Sequence, residues 1–247
     1  MSTKRDKELA RAKWERQQAR RTARAQQNRL IKRSVLAGIV VIGIVAYAVA
    51  NRPASTPVAS TVAGCKSTGA IKTTARQYPN APLSGTPAKN LDLNTNCGRI
   101  SIALDPKAPK TGTVMTHLAK DGYFDMTACH RLTTSGFYVL QCGDPTGTGK
   151  GSPGFKFADE NLPKPTGSQT YNYNRGTIAM ANGGPGTNGS QFFIVYNKSP
   201  LPANYSIWGH VTSGLDVVDR IAAAGVQGGS TDGKPNANVV IEQALAK

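Results

Sequence analysis

The rhythm of apolar and polar positions changes several times along this chain, and each change marks a segment. Residues 3–33 contain no Gly or Pro and many Arg, Lys, Gln, Glu and Ala, so helix propensity is high. Only Leu9, Trp14, Leu30 and Ile31 are substantially apolar there, and no heptad seam runs through them. Residues 35–50 then carry no charge at all. A spanning helix uses about 17–25 residues, and Leu30, Ile31 and the snorkelling stems of Lys32, Arg33 and Arg52 extend this run to that length. From 51 to 85 the chain is rich in Pro, Ser, Thr and Ala without any sustained period, the composition of a tether.

Beyond residue 85 the pattern becomes that of a folded domain. Residues 97–104 alternate as a strand, and Pro109–Lys120 follow as a helix. Short strand-like runs dominate until residues 213–224, where Leu215, Val217, Val218 and Ile221 take the spacing of an amphipathic helix, and residues 239–242 close as a strand. Many short strands with two helices suit a closed antiparallel barrel. The expected organisation is a basic tail at 1–33, a transmembrane helix at 34–51, a linker at 52–85 and one domain at 86–247.

Charge sharpens the first part of this picture. Residues 1–33 hold 12 of the 30 Lys and Arg and 3 of the 14 Asp and Glu, so +9 of the formal +16 lies in that tail. A basic flank ahead of an apolar run places the N-terminus in the cytoplasm and the remainder outside. The tail reads as a solvated, partly helical segment attracted to anionic headgroups, because charge alone supplies only non-specific nucleic-acid affinity. Cleavage after the small-x-small Ala48-Val49-Ala50 is the competing reading, and the long basic region speaks against it.

Two stretches carry the chemistry. Residues 176–181 and 191–196 are β-favouring runs around a loop fixed by glycines and Pro185. At its edges, Asn182 and Gln191 each offer a donor and an acceptor, and Phe193 offers an apolar wall, a set that grips an extended backbone and a ring. Upstream, residues 129–144 form two β segments about a turn at Gly136, so Arg131 and Gln141 can meet across a hairpin.

Together with Phe155-Lys156-Phe157-Ala158-Asp159-Glu160-Asn161, Gly209-His210-Val211 and Asp232-Gly233-Lys234-Pro235, these stretches resemble the cyclophilin family of peptidyl-prolyl cis/trans isomerases over residues 86–247. The resemblance implies a mainly β fold, eight antiparallel strands closed into a barrel and capped by two α-helices, with the substrate groove on its outer surface. It implies catalysis by Arg131, oriented by Gln141, on proline-containing polypeptide clients. Phe193, Val139 and Leu201 would wall the proline pocket, Phe137 or Tyr138 would supply an aromatic floor, and Ala181, Asn182 and Gly183 would hold peptide backbone beside Gln191. Counting back from Gln141 favours Tyr138 over Phe137, because the Arg131–Gln141 separation of ten residues is longer than the family's usual spacing. Val139 stands where the family commonly has methionine, Tyr205 where it has a pocket histidine, and Pro200 where many members carry the tryptophan that binds cyclosporin. Trp208 is not that tryptophan's equivalent, so cyclosporin affinity is in question.

Duller roles stand beside these. Arg131 can be a structural arginine paired with Asp144 or Glu160, Asn182 and Gln191 can close loop hydrogen bonds, and His130 reads as a satisfied structural histidine. The cysteines Cys65, Cys97, Cys129 and Cys142 permit three complete pairings. A Cys129–Cys142 bridge across the hairpin is tempting, strand parity argues mildly against it, and Cys65–Cys97 is equally open. No cofactor is expected: His117, His130 and His210 lie in unrelated contexts, and Gly147-Thr148-Gly149-Lys150-Gly151 lacks the first glycine and the Ser or Thr of a phosphate loop. No hydrolase elbow appears. The reading is a membrane-anchored extracytoplasmic isomerase assisting exported proteins; a Pro-peptide-binding or chaperone module with little turnover is the alternative.

Overall fold

The structure is a computed structural model that describes residues 62, 64–166 and 169–247. The basic tail and the apolar run at 34–51 lie outside the described residues. The rest belongs to one compact unit, Ser60–Lys247.

Strands β1 (Asn90–Thr95), β2 (Gly98–Leu104), β3 (Thr127–Ala128), β4 (Arg131–Thr133), β5 (Val139–Cys142), β7 (Thr177–Met180), β8 (Phe192–Val195), β10 (Ile207–Ser213), β11 (Asp232–Gly233) and β12 (Val240–Ala246) form a curled sheet in the order β11-β4-β5-β8-β7-β10-β2-β1-β12-β3. Every pairing is antiparallel. Strands β6 (Thr170–Tyr173) and β9 (Ser199–Pro202) make a separate two-stranded ribbon. Two α-helices, α1 (Pro109–Lys120) and α2 (Leu215–Ala223), complete the fold. Helix α1 has the predicted bounds, and α2 and the strands at 97–104, 176–181 and 191–196 are present with slightly shorter ones.

Alternation sorts the side chains into two clusters. Leu140 and Cys142 on β5, Ile178 and Met180 on β7, and Phe192 and Ile194 on β8 enter the main core with Trp208. Helix α1 adds Val114, Met115 and Leu118 to it, and α2 adds Val217, Val218 and Ile221. The intervening Val139, Ala179, Phe193 and Val195 point to the opposite face, where they pack with Tyr173 and Leu201 of the ribbon. The second cluster thus lies on the other face of the sheet, its core members buried.

Helix α1 starts without a side-chain cap of its own; Pro109 occupies its first turn. Its open N–H groups are taken instead by Glu160, whose carboxylate accepts from the Lys110 and Thr111 amides at 3.3 and 2.9 Å. An acid at a helix N-terminus is favourable on both hydrogen-bond and dipole grounds.

Two sequence expectations are corrected. Residues 64–85 are not a free tether: Cys65 is disulfide-bonded to Cys97, Lys72 N–H donates to Met126 O, and Arg76 pairs with Asp121 at 2.6 Å. Tyr78 also donates to Asp121 and packs its ring against His117, Tyr123 and Phe155. A Pro/Ser/Thr-rich composition hid these few specific anchors. The second bridge joins Cys129 to Cys142, against the parity argument. Parity fails because the strand breaks between β3 and β4: Cys129 and Leu132, three residues apart, both enter the main core.

The docked strap makes the folding unit longer than the domain read from sequence. A chain beginning at residue 86, with Cys97→Ser to avoid a free thiol, should lose roughly 2–5 kcal/mol against one beginning at residue 60, the usual cost of removing a native disulfide. Urea unfolding of the two decides it; equal midpoints would show that the strap contributes nothing.

Candidate active site

The outer face of β4, β5, β8 and β7 carries one continuous row. Arg131 lies opposite Gln141, Gln141 opposite Phe193, and Phe193 opposite Ala179. Side chains directly opposite in antiparallel strands share a face at about 4.5–5.5 Å between Cβ atoms, so register alone sets a guanidinium, an amide and a phenyl ring side by side. Gly143, just past β5, has φ +88, and a Cβ there would lie 2.3 Å from Ser190 O. Only glycine lets the end of β5 press this closely on Ser190 and Gln191.

Hydrogen bonds extend the row in both directions. Arg131 Nη1 donates to Gln141 Oε1 at 3.2 Å, and Gln141 Nε2 donates to Gln191 Oε1 at 2.9 Å. Gln191 Nε2 in turn donates to the Gly149 and Gly151 carbonyls, both at 3.0 Å. Those carbonyls are fixed from below, because the fully buried Asp144 carboxylate accepts from the Thr146, Thr148, Gly149 and Gly151 amides. Burial by itself would raise the Asp144 pKa; the Thr146 hydroxyl and these amides outweigh it and hold the acid below its ordinary value.

The partner of Arg131 is neither Asp144 nor Glu160 but Asp232, which accepts from Nε and Nη2 at 2.7 Å each. The hydrogen bond and charge of Asp232 raise the guanidinium pKa still further, and Arg131 reciprocally lowers that of Asp232. The cation also stands 5.6 Å from the Phe137 ring centroid.

Arg131 and Gln141 open onto a cavity of about 330 Å³ walled by Phe137, Val139, Ala181, Asn182, Phe193, Leu201, Pro202 and Tyr205. Phe193 is the hub of its rings, edge-on to Tyr205 at 5.4 Å and to Tyr173 at 6.3 Å. A second cavity of about 340 Å³ shares Gln141, Ala181 and Asn182 and continues past Gly183 and Gln191, with Lys150 and Lys156 in its lining. The arrangement offers an apolar slot with charged donors at one wall and a polar groove running away from it. Asn182 is partly committed: its Nδ2 donates to Asn204 O at 2.9 Å and its Oδ1 accepts from Gly184 at 3.2 Å.

Tyr138 does not belong to this cavity. It neighbours Val139 in sequence and so faces the other way, packing edge-on against Tyr196 beside the main core. Phe137 supplies the aromatic wall instead. Trp208 is fully buried in the core. His130 is not satisfied: both ring nitrogens are buried without a hydrogen-bond partner among the described residues. Asp232 and Pro202 were missed by sequence reasoning, although Asp232 stands in a motif already singled out.

Comparison with known proteins identifies this architecture. The family described as "Cyclophilin type peptidyl-prolyl cis-trans isomerase/CLD" matches residues 90–245. The chain belongs to the cyclophilin family. It is 46% identical over 165 residues to "Probable peptidyl-prolyl cis-trans isomerase B" of Mycobacterium tuberculosis, covering 63% of this chain and 54% of that protein. It is 40% identical over 182 residues to "Probable peptidyl-prolyl cis-trans isomerase A" of Mycobacterium bovis, covering 66% of this chain and 93% of that one. The chain therefore spans about half the length of the B-type relatives and most of the A-type one. A crystal structure of a Cryptosporidium parvum cyclophilin-type isomerase superposes with TM-score 0.53 at 29% identity, over 65% of this chain and 98% of the other. A second structure of that protein was determined in the presence of the dipeptide Ala-Pro.

His130 gives this cyclophilin a pH signature. Burial first, with the Arg131 charge adding and Asp144 opposing, holds the imidazole pKa below its ordinary value. The unfolded chain therefore binds a proton near about pH 6.5 that the native state still refuses, and stability falls as pH drops below that point. His130→Leu should remove this slope. From neutral pH down to about pH 5 the wild-type urea midpoint should fall relative to that of His130→Leu if the imidazole is responsible; parallel curves would clear it.

Proposed function

We propose that this chain is a peptidyl-prolyl cis/trans isomerase acting on X–Pro bonds in exported polypeptides. The observation that carries the proposal is the guanidinium of Arg131 held on Gln141 in the lining of a cavity of about 330 Å³ whose apolar walls include Phe193, Val139 and Leu201. That the Cryptosporidium parvum relative was also crystallised in the presence of the dipeptide Ala-Pro supports the choice of ligand.

The chemistry asks for no covalent step. Amide resonance sets a rotation barrier of about 18–20 kcal/mol, and an X–Pro bond crosses it in tens to hundreds of seconds. A planar cation that donates to the substrate carbonyl and lies near the prolyl nitrogen favours the twisted amide over the planar one. In this reading Phe193, Val139 and Leu201 hold the proline ring, Arg131 acts on the amide, Gln141 orients Arg131, and the groove past Asn182, Gly183 and Gln191 receives the adjoining peptide.

The sheet is read as a closed eight-stranded barrel in which residues 127–133 count as one strand. Its first half pairs with β12 and its second with β5, and the Cys129 and His130 amides donate to Val239 O and Gln141 O between them. The uncharged run at 35–50 behind a basic flank supports a membrane anchor with the domain outside. The two disulfides support an oxidising compartment.

Arg131→Ala should lower the exchange rate by roughly 2.7–4 kcal/mol, about a hundredfold to a thousandfold, with peptide affinity much less affected. Phe193→Ala should weaken affinity and exchange together, since it opens the pocket in ground and transition states alike. NMR exchange rates with peptide titration separate the two patterns; near-normal exchange in a folded Arg131→Ala protein would leave only a binding module. For topology, a reporter active only outside the cytoplasm, fused after Lys247, should be active, and a silent but expressed fusion would overturn the orientation.

A further inference from the structure

We infer that Asp232 is the positioning residue of the site, clamping Arg131 by one edge so that its remaining donors are presented to the proline cavity. The inference rests on the isomerase reading above and adds a residue to it.

A guanidinium has five N–H groups. Nε–H and one Nη2–H form a single edge, and the two oxygens of Asp232 take both at 2.7 Å. One Nη1–H goes to Gln141 Oε1 at 3.2 Å. What remains is one N–H on Nη1 and one on Nη2. With a carboxylate on one side, an amide on another and the Phe137 ring beside it, the side chain cannot swing without breaking several contacts.

Stability does not account for this pair. The side chains are 36% and 50% exposed, and ion pairs that open to solvent are screened and contribute little. A fork–fork contact does supply direction, which a lone charge cannot. The surroundings are built to match. Strand β11 consists of Asp232 and Gly233 alone and pairs with β4, the strand that carries Arg131. Asp232 N–H donates to Ser230 Oγ at 3.2 Å, Ser230 Oγ donates back to Asp232 O at 2.9 Å, and Thr134 N–H holds Thr231 O at 2.8 Å. A carboxylate is thereby fixed next to Arg131 although 101 residues separate them.

The test is a double-mutant cycle in the full-length chain. Asp232→Ala should lower exchange by roughly tenfold to a hundredfold, the scale of a misplaced catalytic group, while peptide affinity stays within about twofold. Asp232→Asn keeps the shape but only one acceptor oxygen, and should be impaired as well. In the Arg131→Ala background, Asp232→Ala should cost nothing further, because its effect runs through the absent guanidinium. A purely structural Asp232 would instead cost the same factor in both backgrounds, and that result, or exchange within about twofold of wild type for Asp232→Ala, overturns the inference. The Arg131 Nε–H resonance, read by NMR without peptide, tests the clamp apart from turnover. It should be protected from solvent in the wild type and lose protection in Asp232→Ala; unchanged protection also overturns the inference. Protection lost as expected in a protein without isomerase turnover would refute the isomerase reading and leave the clamp standing.

Discussion

A strand turns successive side chains to opposite faces, and that period of two is the constraint on which both halves of this protein rest. Along β5, β7 and β8 one set of residues builds the core and the interleaved set builds the site. Neither set can be shifted alone, because a slip of one residue would bury Gln141 and expose Leu140. The functional row Arg131–Gln141–Phe193–Ala179 is thus held in place by the same register that packs Leu140, Ile194 and Ile178. Stability of the interior and geometry of the exterior are one quantity seen from two sides.

What the sheet does not fix, the loops fix by polar means. Asp144 gathers four amides and stiffens the loop that receives Gln191, while Glu160 caps α1 from a distant segment. The strap at 64–85 reaches the same region: Gln77 Nε2 donates to Ser152 O and Tyr78 N–H donates to Pro153 O, at 2.8 Å each. Ser152 and Pro153 line the second cavity, so one wall of the polar groove leans on residues that composition alone assigns to a spacer. Buried carboxylates are costly unless fully satisfied. Asp144 meets that condition, which is why it can anchor a loop and not destabilise one.

Periodicity made much of the molecule legible. The strands around 97–104, 176–181 and 191–196 and both helices follow from apolar spacing, and register then follows from the hairpin about Gly136. The ribbon β6–β9 was not legible. Ser199–Pro202 contains two prolines and reads as loop, yet proline is tolerated on a short strand at a sheet edge. Counting from Gln141 favours Tyr138 over Phe137, whereas facing is decided by parity with Val139. Asp232 escaped because its role depends on a two-residue strand docking on β4, a long-range contact that local pattern cannot express. The cysteine argument failed for a related reason: parity holds only while a strand is continuous, and the break after β3 reset it.

The Arg131–Asp232 pair also bears on how a cation can catalyse rotation about an amide. A carboxylate on the guanidinium reduces the positive field the substrate feels, which at first sight should weaken the donor. Catalysis, however, depends on the difference between planar and twisted amide, and a mobile cation can follow the carbonyl in either state and so stabilise both. A fixed one is complementary to a single geometry and needs no reorganisation as the bond turns. Some field is exchanged for direction, and direction is what separates lowering the barrier from merely binding the peptide.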